Sequence, residues 1–201
     1  MRTVPIHFRM RAAALFIAVF PMGCTQTTKQ AGGLELILRS DLDVPQAFDN
    51  VHVEISQQTS AGWDLKLNHD FAVSGGSSTL GTLSIAAGSS PDQEALVDVT
   101  AIRGGSPVIF SETVVQIPTD RLAELVILLG KACIGKFATA DGGIASSCPM
   151  SQTCDPQTGG CVTTAIDSAT LPTFSPGDVP GNPVGEPSDG GSDGPVDATV
   201  T

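Results

Sequence analysis

From Gly33 to Gly130 the chain repeats one pattern: apolar residues at every second position, broken at short intervals by turn-forming clusters. Leu34, Leu36 and Leu38 alternate, as do Val51, Val53 and Ile55. Trp63, Leu65, Leu67, Phe71 and Val73 read as one inward face, and Leu83 with Ile85 and Val97 with Val99 are shorter versions. Two longer runs close the region, Val108 to Ile117 and Arg121 to Leu129. Successive side chains of a strand point to opposite faces, so this period makes each segment half buried and half wet; a helix needs apolar residues three and four apart instead. About seven such segments within 98 residues predict an all-β domain over 33–130, an immunoglobulin-like antiparallel sandwich of about seven strands.

The punctuation agrees. Gly104-Gly105-Ser106-Pro107 sits between two alternating runs and predicts a tight hairpin, because glycine supplies the positive φ such turns need. Arg121 to Leu129 carries helix-favouring Leu, Ala and Glu. Its centre is β-branched, though, and Pro118 and Gly130 bracket a strand-length piece, so a strand is expected. With 22 Gly, 14 Pro, one Trp and no Tyr, the composition suits short strands and loops.

Ahead of the domain, Met1 to Arg11 is basic, and Ala12 to Phe20 is an apolar run of nine residues. Nine residues fall well short of the ~20 a helix needs to cross a bilayer. A basic segment, a short apolar run and small residues together predict a secretory signal over 1–23. Pro21-Met22-Gly23-Cys24 resembles a bacterial lipobox, with Gly23 and Cys24 matching and Pro21 standing where that pattern usually has Leu. The resemblance implies cleavage before Cys24 and acylation of that cysteine, with residues 24–32 as a polar tether. The cysteine count points the same way: five is odd, and removing a lipidated Cys24 leaves an even four.

Those four, Cys133, Cys148, Cys154 and Cys161, are separated by 14, 5 and 6 residues. Zinc knuckles use pairs two to four residues apart, and redox pairs use two, so neither is expected and no metal is assigned. In an exported chain, two disulfides stapling a small module over 131–161 are expected instead. The Asp155-Pro156 and Gly159-Gly160 turns favour a local Cys154–Cys161 bridge, leaving Cys133 with Cys148; an interleaved Cys133–Cys154 pairing stays open. The run Ala132-Cys133, then Cys148 to Cys161 and Val162, is similar to an arrangement in myxobacterial-type cell-surface lipoproteins. There a lipid cysteine precedes a β-sandwich, and a short cysteine cluster follows. The resemblance spans about residues 24–165 and implies an address in the cell envelope, without an activity.

From Val162 to Thr201 there is no Lys, Arg or His, and there are six acids, six prolines and six glycines. Such a composition predicts a disordered acidic tail over 162–201. Within it, Gly190-Gly191-Ser192-Asp193-Gly194 spells a nucleophile elbow without the flanking strand and helix that motif requires. Asp189, Asp193, Gly194 and Asp197 match part of a calcium loop that ends on Val200 where a bidentate Glu is needed. His52 is expected on a polar face, and His69 at a strand end or satisfied in the core. Asp64, Asp70 and Glu112 are carboxylates that could pair in space, although spacing alone does not bring them together.

Residues 1–23 carry three arginines and no acid, so the rest has 7 basic against 21 acidic residues, a charge of −14. That balance disfavours nucleic acid as a partner. No catalytic constellation or cofactor motif emerges. The expectation is a non-enzymatic, lipid-anchored protein of the envelope, at the outer membrane or cell surface, with a structural or binding role. Its partner would be another envelope protein or a polysaccharide. The alternative is a carbohydrate- or polymer-binding accessory, which would need Trp63 exposed beside another aromatic.

Overall fold

A computed structural model describes residues 32–75, 78–88, 90, 92–140 and 143–175. The signal, Cys24, all of the tether but Gly32, and the motif-like stretches between 189 and 200 lie outside the described residues. Seven strands build the domain: β1 (Gly33–Ser40), β2 (Asn50–Thr59), β3 (Gly62–Ala72), β4 (Thr79–Ala86), β5 (Glu94–Arg103), β6 (Ser106–Gln116) and β7 (Leu122–Leu129). They coincide with the seven alternating segments. Four short strands follow in two antiparallel pairs, β8 (Phe137–Ala140) with β9 (Gly143–Ser146) and β10 (Gln152–Cys154) with β11 (Cys161–Thr163), then β12 (Ala165–Ile166).

The strands form a three-stranded sheet in the order β4-β1-β7 and a five-stranded sheet in the order β12-β6-β5-β2-β3. Leu34, Leu36 and Leu38 of the first sheet, and Val51, Val53, Val97 and Val99 of the second, are buried in one common core. The β1–β2 connection adds Val44 and Phe48 to it. The β5–β6 hairpin turns at Gly104 and Gly105, with φ of +55° and +80°. Both central residues therefore have the positive φ of the turn that matches strand twist. Two ladders are parallel rather than antiparallel, β1 with β7 and β12 with β6.

Trp63 is a correction. Expected on the inward face, it is 46% exposed, and Leu65 is 51% exposed. The pairing of β2 with β3 slips between Ile55 and Ser56: Ile55 opposes Leu67, but Ser56 opposes Leu65, leaving Lys66 as an extra residue. A one-residue bulge moves everything beyond it to the other face. Leu67 and Phe71 thus pack against the core, while Leu65 and Trp63 stand outside opposite Ser56 and Gln58.

The tail boundary is a second correction. Order continues past Val162 to Ser175. Ala165 and Ile166 pair with Val114 and Val115, Thr173 bridges to Ala123, and Ile166 and Leu171 pack on the core. The Arg121 guanidinium donates to the carbonyls of Leu171 at 2.8 Å and Ser168 at 2.7 Å. This strap joins the free edge of β6 to that of β7, so the segment gains backbone partners that composition alone does not reveal.

Candidate functional site

The cysteine module is fastened to the sandwich along β6. The Gly135 N–H donates to the Val108 carbonyl at 2.9 Å, the Glu112 N–H to Thr153 Oγ1 at 3.2 Å, and the Val114 N–H to the Thr164 carbonyl at 2.9 Å. Two bridges close it, Cys133–Cys154 and Cys148–Cys161. All four sequence-predicted cysteines are therefore paired, but in the interleaved way, and the local Cys154–Cys161 bridge is corrected. Cys154 and Cys161 do face each other across the β10–β11 hairpin. The Cys154 sulfur goes instead to Cys133, and both belong to the buried core. The turn that suggested the local pair has another stabiliser. Asp155 accepts from the Gln157 N–H at 2.9 Å and the Thr158 hydroxyl at 2.7 Å, and these bonds hold its pKa below the usual carboxylate value.

The outer face of the five-stranded sheet gathers the ionisable groups. Register places Asp98 of β5 directly between Glu54 of β2 and Glu112 of β6. Burial, then the negative charge of Glu112, then that of Glu54, push the Asp98 carboxyl up to about 7. Its Oδ1 is buried without a hydrogen-bond partner among the described residues. Burial also raises Glu112. One strand further out, Asn68 Nδ2 donates to Glu54 Oε2 at 3.4 Å. The neighbouring row holds His52, whose Nδ1 lies 2.7 Å from Asp70 Oδ1 and whose Nε2 lies 3.7 Å from Glu54 Oε2.

Asp64, Asp70 and Glu112 thus do not meet: Asp64 pairs with Lys66 at 2.5 Å, Asp70 with His52, and Glu112 with Asp98 by register. His52 stands on the polar face, as expected. His69 is exposed on the edge strand, its ring 4.8 Å from that of Phe71, rather than buried in the core. Asp98 and Glu54 were missed because a single carboxylate on the wet face of a strand carries no signal until register brings three strands together. Among the described residues, no group of three or more His, Cys, Asp or Glu is arranged to hold a metal ion. Two surface hollows, one lined by Gln116 to Arg121 with Ser168 and Ala169, the other by Gln58 to Ser60 with Ser90, Asp92 and Gln93, do not include the carboxylate row.

No protein-family model, curated protein or solved structure matches this chain.

Proposed function

We propose that this chain is an exported protein, held to the cell envelope by lipid on Cys24, whose sandwich and stapled module serve as a non-catalytic binding unit. The observation that carries the reading is the pair of interleaved bridges, Cys133–Cys154 and Cys148–Cys161, which staple the module that backbone hydrogen bonds hold along β6. Disulfides persist in oxidising compartments, so a chain built around two of them belongs outside the cytoplasm. The basic–apolar–small–Cys order of the first 24 residues supplies the route, and the odd fifth cysteine supplies the anchor. The resemblance to myxobacterial-type surface lipoproteins agrees with this address. A binding role accords with Glu54, Asp98 and Glu112 standing in a row on a sheet face, where a partner's surface can reach them.

A polysaccharide ligand is the second reading, favoured by the exposure of Trp63. Its neighbour in exposure is Leu65 rather than a second ring, and stacking platforms for sugars want two. Fractionation tests the main reading. Wild-type protein should sediment with membranes and Cys24→Ala should not, while both show no free thiol when denatured without reductant. A variant that stays with membranes, or wild-type protein with free thiols, would overturn it.

A further inference from the structure

We infer that the free edge of β3 takes on an extended segment of a partner protein as a sixth strand, one whose alternate side chains are apolar and basic. This deepens the reading of the chain as a surface binding unit and rests on it for the partner's access.

The edge itself is the first observation. β3 ends the order β12-β6-β5-β2-β3, and among the described residues no strand pairs with its other side. Along its eleven residues every second one therefore turns its N–H and C=O away from β2, which is the geometry strand addition uses. The two faces beside that edge then dictate different side chains. On the inner face, β3 and β4 are the end strands of their sheets, and the seam between them is an apolar notch lined by Leu38, Val51, Phe71, Val73, Leu80 and Leu83. It holds about 10 Å³, room for one methyl-sized group from an added strand. His69 lies on this inner side and remains exposed, since nothing in the described residues covers it.

On the outer face the first row met by an added strand contains Asn68 and Asp70, with Glu54 and His52 behind them. Among the described residues Asp70 is paired with His52, and Lys66 with Asp64. Basic side chains opposite Asp70 find a carboxylate, whereas acidic ones meet repulsion. The same charge argues against a second copy of this chain as the occupant. Each of two copies would carry a formal charge of −14 beyond residue 23, so they repel one another. Alternation settles the rest: apolar inward toward the notch, basic outward toward Asp70 and Glu54.

The probe is an acetylated, amidated hexapeptide of alternating lysine and valine, labelled for anisotropy and titrated into the full-length chain. Emission of Trp63, the sole tryptophan, is a second readout at the same strand. Saturable binding is expected, weakened at least tenfold by Asp70→Lys and abolished when every peptide nitrogen is methylated, because methylation removes the ladder donors. A glutamate–valine peptide should not bind. Equal binding by the methylated or the acidic peptide, no rise in anisotropy, or a stable dimer that excludes the peptide would overturn the inference. Membrane fractionation of Cys24→Ala is unaffected by any of these outcomes, so the envelope reading and the strand-addition reading fail separately.

Discussion

Replacing Asp98 by asparagine should stabilise the protein, and by an amount that grows with pH. Asp98 is pressed between Glu54 and Glu112 by strand register and has a buried oxygen without a hydrogen-bond partner among the described residues. Its carboxyl titrates near 7 in the folded chain against 3.8 for the ordinary group. A carboxyl with a raised folded pKa is neutral in the native state where the unfolded chain has already ionised. Its contribution is therefore fully present below about pH 4 and is lost as pH climbs through about 7. A shift of about three units, at 1.36 kcal/mol each, sets a ceiling of about 4 kcal/mol. Partial contact with water screens part of this, which leaves about 1–3 kcal/mol. Asparagine keeps the shape, removes the charge and supplies an amide that can donate to either flanking carboxylate. Thermal melts of wild type and Asp98→Asn should nearly coincide at pH 4 and diverge to a plateau by pH 8. At about 2–4 °C per kcal/mol for a domain of this size, the variant should melt roughly 3–10 °C higher there. An equal difference at both pH values, or a variant less stable at pH 8, would refute the reasoning.

Other perturbations follow from the packing. Truncation after Thr164 removes Ile166, Leu171 and both acceptors of the Arg121 guanidinium, and should cost about 3 kcal/mol in urea melts; truncation after Ser175 should leave stability within error. Removing the Cys148–Cys161 bridge by a double serine substitution should cost about 3 kcal/mol from loop entropy. The same change at Cys133 and Cys154 should cost more, because both are buried in the core, and equal losses would contradict that ranking. Gly130→Ala places a Cβ 2.3 Å from the Pro156 carbonyl oxygen, a backbone contact that cannot yield cheaply. It should lower stability by about 2–4 kcal/mol, measured by denaturant midpoint.

What could be read in advance was whatever depends on local period. All seven sandwich strands were visible, including β7, where helix propensity competed with β-branching, and so was the glycine turn between β5 and β6. Trp63 was misplaced because its face depends on one extra residue, Lys66, opposite β2; a bulge is invisible to alternation along a single strand. The disulfide connectivity followed three-dimensional docking rather than distance along the chain, since Cys133 enters the core beside Cys154. The strap after Val162 looked disordered because its stability comes from partners more than 40 residues away, Val114, Val115 and Arg121. The carboxylate row was hidden for the same reason: Glu54, Asp98 and Glu112 become neighbours only through register.

Mass spectrometry of the mature, unreduced protein bears most directly on the claim of an exported, lipid-anchored protein with a disulfide-stapled module. The expected spectrum has an N-terminal peptide that begins at Cys24 and carries acyl mass. It also has two cross-linked peptides joining Cys133 to Cys154 and Cys148 to Cys161. An unmodified N-terminus at another residue, or free thiols among the four downstream cysteines, would contradict it.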